Sequence, residues 1–345
     1  IGTDGTGTFA IGNGDSGVAI HNGASDNTIG GTEEGARNIL SGNTFGLLVG
    51  DFAATGNRIR GNYIGTNATG DAAVPNAQTG ILVWGQNTVI GGSEDGAGNV
   101  ISGNLFAGID LGPGSTGSTI QGNYIGTDAT GSTVLGNELG VWANFSPANT
   151  IGGTEPGAGN VISGNSGRNI QLNGLDAAGN TVQGNFIGTD ATGTVALENG
   201  RAILIQDAPD NTIGGTEAGA RNVISGNRPG ISIEGATATG NVIQGNYIGV
   251  DVTGSAPLGN RGATIRFTTG ASNNTVGGTE PEAGNIIANS SWVGISLFPD
   301  AGTGNRILSN AIFDNAGMGI EINRDGVTPN DEGDADTCLL YTSPS

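Results

Sequence analysis

Lysine is absent from this chain of 345 residues, and its 11 basic residues are all arginines, set against 31 acidic residues. The net charge of −20 argues against binding to nucleic acid or to an anionic membrane surface and favours divalent cations as ionic partners. The single cysteine, Cys338, permits no internal disulfide and says nothing about the redox compartment. No apolar run approaches the ~18 residues of a membrane helix, so membrane insertion is not expected. The first residues also lack the basic and apolar regions of a signal peptide.

Aromatic residues make up only 5 % of the chain and charged residues 12 %, which argues against the core of a conventional globular enzyme. Glycine, by contrast, accounts for 68 residues. These glycines follow no three-residue period, so a collagen-like triple helix is excluded. Aliphatic residues are too frequent and too regularly placed for a disordered chain. The composition therefore predicts a folded, turn-rich protein.

Two related motifs recur along the chain. Asn-Thr-Ile-Gly-Gly-Thr-Glu and its close variants repeat at a spacing of about 62 residues, beginning at Asn27, Asn87, Asn149, Asn211 and Asn274. Gly-Asn-Tyr-Ile-Gly-Thr, with Phe for Tyr in one copy, falls between them, beginning at Gly61, Gly122, Gly184 and Gly245. Each unit of about 62 residues therefore contains two similar halves, which is typical of a repeat protein.

Aligning the halves predicts a parallel β-helix. Eleven segments resemble Gly-Ile-x-Ile and begin at Gly17, Gly46, Gly80, Gly108, Gly140, Asn169, Ala202, Gly230, Gly262, Gly294 and Gly319. Two further short apolar segments follow each of the first ten, which leaves no room for helices of ten or more residues. One coil of about 30 residues buries too little apolar surface to offset its ordering entropy, so coils must stack. We expect an all-β solenoid of about eleven coils with three short strands each.

An asparagine precedes the third strand in ten consecutive coils. These residues are Asn38, Asn62, Asn99, Asn123, Asn160, Asn185, Asn222, Asn246, Asn285 and Asn310. A side-chain amide both donates and accepts hydrogen bonds, so identical residues stacked at the strand spacing can bond to one another and to the turn backbone. We interpret them as an asparagine ladder; the alternative is that each only forms its own turn.

With these motifs, the sequence resembles the right-handed parallel β-helix repeat proteins of the pectate-lyase-like superfamily. It is most similar to bacterial surface proteins that carry the Asn-x-Ile-Gly-Gly-Thr and Gly-Asn-Tyr-Ile-Gly-Thr-Asp-Ala-Thr-Gly repeats. The resemblance covers roughly residues 1–337, and it implies an extracellular or cell-surface location. Right-handedness follows from the resemblance and from the general preference for right-handed crossovers.

The ends of the repeat array define the expected domains. We expect the β-helix over residues 1–324, truncated at its N-terminus, followed by an acidic Gly/Asp-rich segment over 325–337. The last residues, 338–345, fit no repeat and resemble adapter read-through in metagenomic sequence, so they are excluded from functional reasoning. The parent protein is expected to be longer, with further domains on both sides.

Two tryptophans are candidate carbohydrate-binding residues. Strand alternation places Trp84 and Trp142 two coils apart on the outer face of the Gly-Ile-x-Ile row. Exposed aromatic rings provide stacking surfaces for sugars. The alternative is that both indoles pack beneath neighbouring loops.

A different constellation is the candidate for catalysis. The lyases that this fold resembles use clustered acids, calcium and a basic residue, and the nearest match is Asp207, Glu234 and Arg266 on three adjacent coils. The alignment puts Glu234 and Arg266 at the same outward position, where an ordinary surface ion pair is the better explanation. No two carboxylates of this face lie within the ~5 to 9.5 Å that glycoside hydrolysis needs.

Calcium is the only ion that the sequence suggests, and no cofactor is required. Asp331, Asp334 and Asp336 alternate around a glycine after the last coil, and such carboxylates can converge on one hard cation. A disordered acidic linker is the alternative. The repeated Thr-Asp-Ala-Thr-Gly insertions are interpreted as solvated turns.

These features together predict a secreted or surface-attached bacterial module. Its β-helix is expected to be a non-catalytic, adhesin-like scaffold that binds polysaccharide or a cell-surface glycan through Trp84 and Trp142. The alternative is a calcium-dependent polysaccharide lyase, or a related carbohydrate-active enzyme, that uses Asp207, Glu234 and Arg266.

Overall fold

The computed structural model describes residues 1–323, apart from Glu34 and Glu198. Those residues form 31 strands and no helix, and the strands belong to three parallel sheets. Each sheet receives one strand from every coil in order, so hydrogen-bonded neighbours are always three strands apart in the chain. The predicted all-β solenoid with three strands per coil is confirmed, with ten complete coils and the first strand of an eleventh.

The strands of the first sheet correspond to the Gly-Ile-x-Ile segments. They are β1 (Ser16–Ile20), β4 (Phe45–Val49), β7 (Ile81–Val83), β10 (Ala107–Leu111), β13 (Leu139–Asn144), β16 (Arg168–Asn173), β19 (Arg201–Gln206), β22 (Ile231–Glu234), β25 (Ile265–Thr268), β28 (Ile295–Leu297) and β31 (Ile320–Ile322). We number the coils 1 to 11 by these strands.

The second sheet contains β2 (Thr28–Gly30), β5 (Arg58–Arg60), β8 (Val89–Gly91), β11 (Thr119–Gln121), β14 (Thr150–Gly152), β17 (Thr181–Gln183), β20 (Thr212–Gly214), β23 (Val242–Gln244), β26 (Thr275–Gly277) and β29 (Arg306–Leu308). The third contains β3 (Ile39–Leu40), β6 (Tyr63–Ile64), β9 (Val100–Ile101), β12 (Tyr124–Ile125), β15 (Val161–Ile162), β18 (Phe186–Ile187), β21 (Val223–Ile224), β24 (Tyr247–Ile248), β27 (Ile286–Ala288) and β30 (Ala311–Phe313).

The core consists of aliphatic side chains stacked one above another inside the coils. In the first sheet, for example, Ile109 pairs with Ile81 below and Val141 above, and all three side chains are fully buried. Because side chains alternate across a strand, an in-register stack places every second residue inside and its neighbours outside. The outer face of the first sheet is therefore set by the residues between these inward positions.

The predicted asparagine ladder is confirmed over all ten residues. In a typical step, the Asn160 side-chain Nδ2 donates to Asn185 Oδ1 at 2.8 Å and to the backbone oxygen of Ile120 at 2.8 Å. The Oδ1 of Asn160 in turn accepts the backbone N–H of Asn123 at 3.0 Å. Both hydrogen-bonding groups of the buried amide are thus used, which the interior requires.

Two further asparagine ladders, not predicted from the sequence, line the other two corners. One precedes the second sheet and includes Asn149, Asn180, Asn211, Asn241, Asn274 and Asn305. The other precedes the first sheet and includes Asn43, Asn76, Asn104, Asn137 and Asn165. The ladder that precedes the first sheet also explains an irregularity in the repeat. Asn169 replaces the usual glycine, and its own amide connects Asn165 to Asn227.

The alignment of coil 9 was wrong by two residues. Arg266 lies opposite Ser232 and not opposite Glu234, whose partner is Thr268. The reason is burial: this register places Phe267 inside, where its ring is fully buried, whereas the predicted register used the much smaller Ala263 as an inward residue. The residues from 325 onwards, including the acidic segment and the final tail, lie outside the described part of the chain.

None of the described residues forms a helix long and apolar enough to span a membrane.

Candidate functional site

Trp84 lies on the outer face of the first sheet, just beyond the end of β7. Its side chain is 39 % exposed. A Cβ atom at Gly112, in the next coil, would collide with the Trp84 indole, so the ring lies directly across that glycine. Glycine at position 112 is therefore required for the indole to pack against the coil above it.

Two more exposed rings share this arrangement. Phe52 follows β4 and Phe145 follows β13, and their side chains are 57 % and 40 % exposed. The Phe52 ring packs on Gly114, where a Cβ would be 3.0 Å from Cε1, and the Phe145 ring packs on Gly174. We call Phe52, Trp84 and Phe145 the aromatic edge, because all three lie in the turns that follow first-sheet strands of coils 2 to 5.

Phe52 and Phe145 were not predicted from the sequence, because strand alternation places only residues that lie in or directly beside strands. A usable signal was present: each exposed aromatic of the edge is matched by a glycine in a later coil. Exposed aromatic rings that recur along one edge are candidates for a binding surface.

Trp142 has a different environment from Trp84. It is half-buried, and its ring meets that of Phe106 edge to face, with centroids 5.7 Å apart. Its Nε1 is buried and has no hydrogen-bond partner among the described residues. Trp142 is thus largely a packed side chain, and of the two tryptophans Trp84 has the geometry of a stacking platform.

Asp110 lies directly beneath Trp142 on the neighbouring strand. Its Oδ1 is also buried without a hydrogen-bond partner. Burial raises the pKa of the Asp110 carboxyl from 3.8 to about 7, because removal from water disfavours the charged form. Asp110 therefore carries a proton over much of the acidic range in which an ordinary aspartate is ionised.

The three residues of the alternative catalytic site are close together, but Glu234 is held in ion pairs. Its Oε1 accepts from Arg266 at 2.6 Å and from Arg201 at 2.8 Å. The expected ion pair between Glu234 and Arg266 is therefore present, and Arg201 adds a second cation that the sequence analysis did not foresee. Arg266 also donates from Nε to the Ser232 hydroxyl at 2.8 Å.

Asp207, the third residue of that set, lies one coil below. Its carboxylate packs over Gly235, and Oδ1 accepts from the Thr237 hydroxyl at 3.3 Å. Glu234 is thus paired with two guanidinium groups, whereas Asp207 forms no ion pair with a described residue. Among residues 1–323 other than Glu34 and Glu198, no group of three or more His, Cys, Asp or Glu side chains is placed to hold a metal ion. The predicted ligands Asp331, Asp334 and Asp336 lie outside the described residues.

The Asp residues of the repeated Thr-Asp-Ala-Thr-Gly insertions close their own loops. Asp190, for example, accepts hydrogen bonds from the Thr192 hydroxyl and from the backbone N–H groups of Thr194 and Val195. Hydrogen bonds to the carboxylate outweigh partial burial and lower the pKa of Asp190. These carboxylates stabilise turns, as predicted, but Asp128, Asp190 and Asp251 are buried, so the prediction that they are solvated was wrong.

Comparison with known proteins adds little to this geometry. No protein-family model matches the chain, and no curated protein matches it. Among solved structures, the chain is similar to the Dettilon tailspike protein, with 15 % identity over 91 % of this chain and 61 % of that one, and a TM-score of 0.46. It is also similar to PfbA, a surface adhesin of Streptococcus pneumoniae, with 13 % identity over 82 % and 72 % of the chains and a TM-score of 0.37. The chain thus spans 61 % of the tailspike structure, and its function is argued from its own residues.

Proposed function

We propose that this chain is a secreted or cell-surface β-helix module that binds carbohydrate on its aromatic edge without cleaving it. The observation that carries this proposal is the arrangement of Trp84, Phe52 and Phe145, three exposed rings along one edge, each supported by a glycine. Sugar rings have apolar faces that stack on aromatic rings. Because the supporting glycines hold the rings in place before binding, little conformational entropy is lost when a glycan docks.

The positions of the three rings suit an elongated ligand. They belong to coils 2, 3 and 5, and consecutive coils are about 4.8 Å apart. The row therefore extends over roughly 14 Å along the solenoid axis, enough for several sugar units of a chain. Trp142, Phe106 and Asp110 would form the floor beside this row.

The same face supports binding over catalysis. Glu234 is neutralised by Arg201 and Arg266, so it is a poor candidate for a calcium ligand or a base. Asp110 is four coils from Glu234, roughly 19 Å, which is beyond the separation of carboxylates in glycoside hydrolases. An extracellular location and bacterial origin are part of the proposal, and they rest on the repeat motifs described above.

Replacing Trp84 with alanine is expected to weaken glycan binding by at least about tenfold, because the central stacking surface is lost. The measurement is a panel of neutral and acidic polysaccharides, with and without calcium, scored for retained protein and for released reducing or unsaturated ends. The best ligand is then titrated against the variants. Phe52→Ala is expected to weaken binding several-fold.

Phe313→Ala is the matched control for Phe52→Ala, since Phe313 is similarly exposed but lies on β30 of the third sheet. It should leave affinity within about twofold. Equal losses in Trp84→Ala and Phe313→Ala would contradict the aromatic edge as the binding site. Calcium-dependent release of product would instead favour the lyase and make Asp207, Glu234 and Arg266 the next residues to replace.

A further inference from the structure

The opposite end of the first-sheet strands carries a column of arginines. Backbone hydrogen bonds connect the turns of successive coils there: Arg201 N–H donates to Gly167 O at 2.9 Å, Arg228 N–H to Gly200 O at 2.9 Å, and Arg261 N–H to Asn227 O at 2.8 Å. Arg168 begins β16 and lies directly opposite Arg201. Arg168, Arg201, Arg228 and Arg261 therefore occupy one corner of coils 6 to 9, and we call them the arginine column.

Most of this positive charge has no partner within the described residues. Arg201 is paired with Glu234, which it shares with Arg266. Arg168, Arg228 and Arg261 form no ion pair with any described acidic residue, and Arg228 and Arg261 are exposed. Glu138, exposed at the lower end of the column, is not paired with it either.

The column is not explained by stability. Like charges on adjacent strands repel one another and destabilise a sheet. The neighbouring Arg168 and Arg266 indeed oppose the charge on Arg201, whose pKa is lowered by burial and, to a smaller degree, by these two arginines. Four of the ten arginines in residues 1–323 lie at this one corner of a chain whose net charge is −20. Such a local excess of cations favours an anionic ligand.

We infer that the arginine column binds the acidic groups of a linear polysaccharide. Guanidinium groups form paired hydrogen bonds with carboxylate or sulfate oxygens. Four coils at about 4.8 Å present these groups over roughly 14 Å, which suits a polymer with charges spaced along an extended chain. A duplex nucleic acid has one charge per ~1.7 Å and would be repelled more strongly by the rest of the acidic surface.

This site is separate from the aromatic edge, at the other end of the same strands. It goes beyond the proposed function and does not depend on it, because the aromatic edge is expected to stack on sugar rings of any charge. The two sites can therefore fail independently in a binding experiment.

The test compares dextran, carboxymethyl dextran and dextran sulfate, which share a backbone and differ in charge. Binding of the full chain is measured at about 50 mM NaCl, with a single-stranded oligonucleotide as a polyanion of another class. We expect binding of the two charged dextrans, weaker binding in higher salt because ions screen the contact, and at least about tenfold loss in Arg228→Gln/Arg261→Gln. Neither side chain forms an ion pair with a described residue, so the double variant should fold normally.

Arg58→Gln/Arg306→Gln is the matched control, since both residues are exposed, lie on the second sheet and form no ion pair within the described part of the chain. It changes the net charge equally and should leave affinity within about twofold. Glu234→Gln should act in the opposite direction and strengthen binding of dextran sulfate several-fold, because it releases two guanidinium groups.

Several outcomes would overturn the inference. These are no binding of either charged dextran by the unmodified chain, equal losses in the two double variants, or tighter binding of the oligonucleotide than of dextran sulfate. A further such outcome is measured by light scattering. If the Arg228→Gln/Arg261→Gln variant loses self-association instead of dextran binding, the partner of the arginine column is the acidic surface of a second copy.

Discussion

Replacing Asn160 with alanine is expected to lower the free energy of unfolding by about 2 to 4 kcal/mol, because it leaves buried polar groups without partners. The backbone N–H of Asn123 loses its acceptor, and the backbone oxygen of Ile120 loses a donor. Asn160 itself is fully buried, so water cannot replace the missing bonds without entering the core. Chemical denaturation followed by circular dichroism measures the difference.

Asn38→Ala is the control within the same ladder. Asn38 is the first residue of the ladder, and its Nδ2 donates to Asn62 Oδ1 at 3.0 Å. The backbone N–H of Asn38 still donates to that Oδ1 in the variant, so we expect a loss of no more than about 1 kcal/mol. Equal losses for Asn38→Ala and Asn160→Ala would show that the ladder amides act only as separate turn formers.

Replacing Asp110 with asparagine is expected to stabilise the protein at pH 8 and to leave its stability almost unchanged near pH 4. Burial raises the pKa of this carboxyl from 3.8 to about 7. Between those values the folded protein keeps a proton that the unfolded chain releases, so the native state loses stability as pH rises. The free energy of unfolding falls by up to about 4 kcal/mol in total, and this loss is complete above the pKa that Asp110 has in the folded protein.

The measurement is the melting temperature of both proteins from pH 4 to pH 8. Carboxylates with lowered pKa, such as Asp190, act in the opposite direction, but they are common to both proteins and cancel in the comparison. Asp95→Asn, at an exposed turn, removes the same charge and should change stability by no more than about 0.5 kcal/mol at any pH. A pH-independent difference between the Asp110→Asn variant and the unmodified protein would contradict the raised pKa.

Asp110→Leu provides a further check on the same residue. Leu82 is the Asp110 partner on the strand below, and Leu48 lies beneath Leu82 in the same row. A leucine at position 110 therefore continues an apolar row that the sheet already contains. It should match or exceed the stability gained by Asp110→Asn at pH 8.

Repetition made most of the architecture predictable from the sequence. The aliphatic and asparagine positions recur in each coil, so equivalent positions predict both where a strand lies and which strands pair with it. The pairing of Ile109 with Ile81 follows directly. The two-residue error in the alignment of coil 9 also comes from relying on the repeated pattern. Where the turn before β25 is longer, two registers both keep an aliphatic inside, and only the burial of Phe267 decides between them.

The candidate sites were predictable only in part. Trp84 and Trp142 could be placed on the outer face because both follow strand alternation, yet the sequence did not distinguish an exposed indole from a half-buried one. That difference depends on Phe106, which packs against Trp142, and on Gly112, which supports Trp84. Phe52, Phe145 and Arg228 lie in turns, where side-chain direction follows from the local backbone and not from a period of two.

By itself, the sequence determined the solenoid, its three strands per coil and the ladder through Asn160, since aliphatic and asparagine positions that recur in every coil favour stacking the coils as parallel strands. Tertiary structure alone decided which turns meet. The aromatic edge, the second cation at Glu234 and the arginine column all join residues that are about 30 or more positions apart and lie in turns of unequal length. Their side chains come together only once the parallel strands have fixed every coil in register above the last.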